Sequence, residues 1–424
     1  MKRILSLLLC LIIILSSIVS ASAAITQTET PISADESRLK WSVKLGTGYT
    51  NSPSTPAVYG DYVLTMVGST LYKLSSENGE IIKTAEMCSA PSFSYTPVLV
   101  ANNKIFCPLE GGIVQAFDLN TMKSLWIYTD SLGGQSLSPI IFDNGKVYTG
   151  FWNDEEVNAD FVCLNAESGK LEWNYIQKGG FYWAEPAVTG NFIVVGGDNG
   201  SDDVYSVSSL KSFNKNTGKL IDSAEIIGDQ RSGITSKDGY LYLVTKGCYL
   251  YKAKLDSYGK FSSVKSVALS GSSTSTPTVY GGKIYIGVQS SGFGGNVCVF
   301  DCDSLGIINT VTMNGYPQSE MLLTTAYDDV YIYSTYNAGP GGITVINGST
   351  FAAEQLFVPE EGSRGYCISP VSAADDGTLI YKNDSGTIFA VGNVNSEETE
   401  ESSIFMLIVK LFISVINLFL SMLK

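Results

Sequence analysis

An all-β chain built as a closed array of repeated units is predicted by three features of the sequence. The stretch Val162–Trp173 (V-C-L-N-A-E-S-G-K-L-E-W) reads as two short strands around a tight turn. Asn165 can fold its side chain onto the backbone two residues on, and Gly169 can supply a left-handed position. Weaker copies begin at Leu74, Phe117, Phe213, Leu255, Phe300 and Ile346. The second feature is a small residue followed by proline and an apolar run. The third is composition: 42 Gly, 24 Tyr and 18 Phe with only 16% charged residues, the mixture that many short strands and hairpins need.

The small-residue–proline marker sets the period. It occurs at Thr55-Pro56, Thr96-Pro97, Ser138-Pro139, Glu185-Pro186, Thr276-Pro277 and Ser369-Pro370, with degenerate copies placed at Ser232-Gly233 and Thr324-Thr325. The second positions are 41, 42, 47, 47, 44, 48 and 45 residues apart. Each interval holds a strand, a turn such as Asp143-Asn144-Gly145, an aromatic-rich strand such as Lys146-V-Y-T-G, and then the hairpin. Four strands in roughly 40–50 residues is the period of a β-propeller blade. Eight markers predict eight blades, with seven as the alternative because the fifth and seventh units are weak. The last unit, Ser369 to Val394, has three strands, and Arg38–Gly46 alternates apolar and polar residues like a fourth. Closure by that N-terminal strand would leave no open sheet edge.

The flanks carry separate signals. Lys2 and Arg3, an apolar run from Ile4 to Val19 and Ala21-Ser22-Ala23 predict a secretory signal over 1–23, and Cys10 lacks the context of a lipidated cysteine. Residues 24–37 read as a Thr/Ser-rich linker, 38–394 as the propeller, and 395–403 as an acidic linker. Residues 404–424 are long enough for a bilayer span of about 20 residues. Their polar residues Lys410, Ser414, Asn417, Ser421 and Lys424 fall on one helical stripe about 80° wide. An anchor, an interfacial helix and a helix docked on a protein all remain open for this segment.

Net charge and residue usage exclude several functions. The net charge of −14 has no basic stripe against it, which argues against nucleic acid. No histidine is present, so imidazole-based triads, zinc sites and proton shuttles are excluded together. Past the signal, seven scattered cysteines (Cys88, Cys107, Cys163, Cys248, Cys298, Cys302, Cys367) do not form a disulfide framework. Cys298 and Cys302 would stand roughly 13 Å apart along a strand, beyond disulfide reach.

The hairpin, the Thr/Ser-Pro start and the fourth-strand tryptophans Trp41, Trp126 and Trp173 resemble the pyrroloquinoline-quinone-type propeller repeat. The resemblance covers Arg38 to Val394 and includes both quinoprotein dehydrogenases and a non-enzymatic lipoprotein of outer-membrane assembly, so it implies fold more than function. It implies that the three tryptophans pack between neighbouring blades. In the dehydrogenases it implies a quinone held between a Trp and a disulfide of adjacent cysteines, beside calcium bound by Glu, Asn and Asp, with a further Asp as base. The sequence has no adjacent cysteines, and Trp183 has nothing predicted opposite it.

Loops joining strands two and three, and loops joining blades, share one propeller face. That face carries the long insertions and the aromatics Trp152, Phe181, Tyr182, Trp183, Phe293 and Tyr336, which mark a candidate partner surface unless they only pin their own loops. Asp198, Asp202 and Asp203 are a weak calcium candidate, with a solvated turn as the alternative reading. Asp154, Glu155 and Glu156 are adjacent in sequence and lack the separation of a glycosidase pair. The expectation is an exported, surface-attached propeller that binds a protein or glycan without catalysis or cofactor, calcium remaining open. The alternatives are a quinone- and calcium-dependent oxidoreductase and a carbohydrate-active propeller.

Overall fold

The computed structural model describes residues 25–93 and 95–393. Eight four-stranded antiparallel sheets are arranged around one axis, with a parallel two-residue strand added to one of them. Blade one is Ala57–Tyr59, Tyr62–Val67, Thr70–Ser75 and Ile81–Glu86. Blades two to seven repeat that order, beginning at Leu99–Ala101, Ile141–Asp143, Ala187–Thr189, Thr235–Lys237, Thr278–Tyr280 and Leu322–Thr324. Blade eight takes Ser372–Ala373, Leu379–Lys382 and Thr387–Asn393 from the end of the chain and Ser37–Lys44 from its beginning. The expected closure is therefore present, in the register Trp41 against Ala390, and the seven-blade alternative is excluded.

Packing follows the pleat. The second and third strands are buried on both faces, because each blade is covered by its two neighbours, so they read as nearly continuous apolar runs such as Tyr62–Val67 and Ile343–Asn347. The fourth strands form the rim and alternate; six carry a register shift close to the hairpin, as between Ser124 and Trp126, and the closing strand of blade eight carries one between Leu39 and Trp41. A bulge in an edge strand twists the edge away from further pairing.

The repeat motif holds one blade to the next. Trp126 of blade two donates its indole N–H to the Ala166 carbonyl in the hairpin of blade three, at 3.2 Å. Trp173 does the same to Lys215 in blade four, and Trp41 of blade eight to Ser76 in blade one. The hairpin glycine is required twice over: Gly169 has φ +69°, and a Cβ there would stand 2.5 Å from the Trp126 ring. The marker hydroxyls act at the axial end. Thr55 donates to the Tyr95 carbonyl, Thr96 to Leu137 and Ser138 to Ala184, each reaching the connection that enters the following blade.

Two features differ from the sequence reading. The seventh marker is Ser319-Glu320, not Thr324-Thr325. The first strand of that blade is Leu322–Thr324, and in the other blades the marker precedes the strand. Glutamate in the proline position hid it. Residues 25–36, expected as a linker, pack on blade seven. Ile25–Thr26 pairs in parallel with Leu323 and Thr324 on the axial side of that blade. Thr30 is fully buried; its hydroxyl is 2.6 Å from the Tyr333 hydroxyl, and its carbonyl accepts from Tyr327. The expected signal segment and the 395–424 tail lie outside the described residues. Among the described residues no helix is long and apolar enough to cross a membrane.

Candidate functional site

Antiparallel order places the connections between blades and the strand-two-to-three loops at one end of the axis. The first strands and the connections leading into them enclose an axial cavity of about 330 Å³ at that end. Its walls are largely apolar, with Pro97, Leu99, Pro139, Ile140, Ile234 and Pro370 contributing. Tyr95, Trp183, Arg231, Glu185 and Glu320 add the polar and aromatic groups.

Beside the cavity an aromatic row runs from blade three toward blade eight. Trp152 meets Tyr182 edge-on at 5.1 Å, Tyr182 meets Trp183 at 4.9 Å, and Trp183 meets Tyr95 at 6.4 Å. The row ends at Lys382, whose ammonium lies 4.4 Å from the centre of the Tyr95 ring. Trp183 has φ +54°, rare for a bulky side chain, and its indole N–H is buried without a hydrogen-bond partner. Three of the six aromatics expected at the surface are thus brought together. Phe181 and Tyr336 are corrections: both are fully buried. Phe181 fills the blade three–four interface against Phe161, and Tyr336 donates to Gln355 within blade seven. Phe293 is 86% exposed and stands apart in the loop of blade six.

Arg231 organises the charges. It comes from the blade four–five connection, and its guanidinium bonds both oxygens of Asp198 at 3.2 and 2.6 Å and Glu155 at 2.7 Å. Asp229 lies 3.8 Å away, and the Tyr182 ring lies under the guanidinium at 4.6 Å. Burial raises the Asp198 carboxyl well above its ordinary range although the Arg231 charge opposes the shift. Burial likewise raises Asp229 to about 6, again against Arg231. Glu155, Asp198 and Asp229 are the one group of carboxylates among the described residues close enough to share a metal ion. Arg231 already supplies the cation there. The calcium candidate is corrected accordingly: Asp198 turns inward to Arg231, while Asp202 and Asp203 stay exposed in the loop.

Of the two further acids on the cavity wall, Glu185 is visible in the sequence only as a marker position, and Glu320 not at all. Each is partly accessible yet surrounded by protein, because the space beside it is the internal cavity. Burial raises Glu185 to about 7; burial and the charge of Glu185 raise Glu320 to about 8. Among the described residues, no hydrogen bond or cationic side chain contributes to either shift. The signal that could have found them is the broken marker series: a carboxylate replaces the small residue in blade four and the proline in blade seven.

The family model of the outer membrane protein assembly factor BamB matches residues 30–254 and 110–397. The chain belongs to this family. No curated protein matches the sequence. Among solved structures, the quinohemoprotein alcohol dehydrogenase from Comamonas testosteroni superposes with a TM-score of 0.66 at 13% identity, over 86% of this chain and 78% of that one. BamB from Moraxella catarrhalis gives 0.59 at 13% identity over 84% and 99%. The computationally designed Ika8 protein gives 0.60 at 14% over 84% and 100%. At such identities the likeness is one of fold.

The residues around the cavity do not fit pyrroloquinoline quinone. The sequence has no adjacent cysteines, no cysteine lines the cavity, and nothing there completes a sandwich with Trp183. The quinone is a polycarboxylate. The cavity would meet it with two further carboxyl groups and with an arginine already engaged by Asp198 and Glu155.

Proposed function

We propose that this member of the family is an exported, non-catalytic binding propeller of the cell envelope, holding a partner protein on its loop-bearing face. The observation that carries the reading is the distribution of exposed apolar side chains. Outside the strands, Tyr49, Leu132, Val157, Tyr205, Phe293, Val358 and Tyr366 are all exposed, and all lie in blade connections or strand-two-to-three loops, at the same end of the axis as the cavity. The opposite face has Tyr258, in the hairpin of blade five. Aromatic side chains scattered over one face suit a protein interface, where a few rings supply most of the binding energy. Attachment through residues 404–424 is part of the proposal, and the name of the family, an outer-membrane assembly factor, agrees with an envelope location.

The test is site-specific photocrosslinking in intact cells, with the probe at Phe293, at Tyr205 and, as control, at Tyr258. A defined adduct from the first two positions and none from Tyr258 supports the reading. Equal labelling of both faces, or none, rejects it. For the tail, the full chain is compared with one ending at Ser403, and equal partitioning into the membrane fraction rejects attachment.

A further inference from the structure

The marker series is an architectural device in most blades, so its two acidic exceptions need a separate cause. In blades one to three the hydroxyl of Thr55, Thr96 or Ser138 ties its blade to the next connection. Blade four puts Glu185 in that position and gives up this tie. Blade five follows with Gly233 where most blades have proline. The two positions touch: a Cβ on Gly233 would stand 2.9 Å from Oε2 of Glu185 and 2.7 Å from Oγ1 of Thr276, and the backbones of Glu185 and Gly233 form a parallel bridge. Glycine therefore leaves room for the Thr276 side chain and the Glu185 carboxyl alike. Three blades further round the ring from Glu185, Glu320 replaces another proline and lines the same cavity, where the charge of Glu185 adds to burial in raising its proton affinity.

Neither carboxyl serves the fold. Both lack a hydrogen-bond or cationic partner among the described residues, and a buried carboxylate without one is costly. Arg231, the cation on the cavity wall, is turned to Glu155 and Asp198. The remaining wall is apolar, apart from hydroxyls already bonded to neighbouring connections, Gln318, whose amide oxygen accepts from Asn337, and the Trp183 indole with its unpartnered N–H. A divalent ion would ask for six or more oxygen ligands, which two carboxyls and spent hydroxyls do not supply. An ammonium group has three donors and no acceptor, and its alkyl stem is suited to proline and isoleucine walls. The volume is at the lower end of small-ligand sites.

We propose that the axial cavity is a binding site for a primary alkylammonium group, held between Glu185 and Glu320 with its stem along the apolar wall. The group belongs either to a free amine or to a lysine side chain offered by a bound partner; the second source rests on the function proposed above.

The test is calorimetric titration of the full chain with n-butylammonium. Butan-1-ol supplies the stem without charge, tetramethylammonium supplies charge without N–H donors, and calcium is the competing cation. One-to-one binding of butylammonium, with neither control binding, is expected. Glu185→Gln and Glu320→Gln are each expected to weaken it by about tenfold to a hundredfold, the range for a hydrogen bond to a charged group. Their thermal unfolding should be unimpaired, since each removes a buried unpaired acid, so lost binding cannot be attributed to misfolding. Nα-acetyl-lysine-N-methylamide separates the sources: its binding with equal dependence on the two glutamates assigns a lysine side chain, and binding of butylammonium alone assigns a free amine. No binding of butylammonium, binding unchanged in both variants, or displacement by calcium overturns the proposal. The crosslinking experiment reads Phe293 and Tyr205, so either proposal can fail without the other.

Discussion

The carboxyl of Glu185 crowds the place of a side chain on Gly233, an ideal Cβ there standing 2.9 Å from its Oε2 and 2.7 Å from Oγ1 of Thr276. Gly233 has no left-handed φ, so its need for glycine is steric. Gly233→Ala is therefore expected to destabilise by about 1–3 kcal/mol through overpacking. Glu185→Ser, which restores the small residue of the other blades, should relieve part of that cost, the contact with Thr276 remaining. A double-mutant cycle read by urea unfolding checks this, and additive effects would show that the two positions are independent.

Glu185 and Glu320 make stability depend on pH. Their folded-state values of about 7 and 8 lie above the ordinary 4.5, so the folded chain holds protons that the unfolded chain has lost. That contribution is complete below about pH 4.5 and is lost as pH rises through 7 and 8. Asp198 and Asp229, both facing Arg231, are raised as well and act in the same sense. Unfolding midpoints are expected to fall between pH 5 and 8.5. The double variant Glu185→Gln/Glu320→Gln should fall less steeply over the window, because it carries neither of the two raised acids.

Arg231 compensates carboxylates from three separate loops. Arg231→Ala leaves fully buried Asp198 without its cation and is expected to cost about 3–5 kcal/mol. Arg231→Lys should recover only part, because an ammonium cannot bond both oxygens of Asp198 and reach Glu155 in the same fork. Chemical denaturation of the two variants measures the difference.

At the hairpins, Gly169→Ala introduces a side chain at φ +69° against the Trp126 ring. The expected loss is about 2 kcal/mol, from backbone strain together with the clash. A Trp126→Leu background should lessen it, and differential scanning calorimetry of the four chains decides the point. Gly60, also in the left-handed region but with nothing near its Cβ, is the control for strain alone.

Much of the fold is legible in the sequence because it is encoded locally. Asn165 and Gly169 make their hairpin from turn chemistry within five residues, and the same signal repeats in each blade. The period, the count of eight and the closing strand follow from that repetition. The site is legible only in fragments. Trp152, Tyr182 and Trp183 stood out as loop aromatics, but Phe181 and Tyr336 looked equivalent to them and are core residues. A loop sequence carries no period from which burial can be read. Arg231 carries no signal in the sequence, because its partners Glu155 and Asp198 come from other loops.

By itself, then, the sequence determined the all-β repeat, its ring closure and the absence of histidine chemistry, since these depend on local turns, spacing and composition. Only the tertiary structure decided that Glu185 and Glu320 share one cavity, that Arg231 gathers three loops, and that residues 25–36 seal blade seven. Those relations arise from the summed rotation of whole blades around the axis, a quantity that no short stretch of the chain contains.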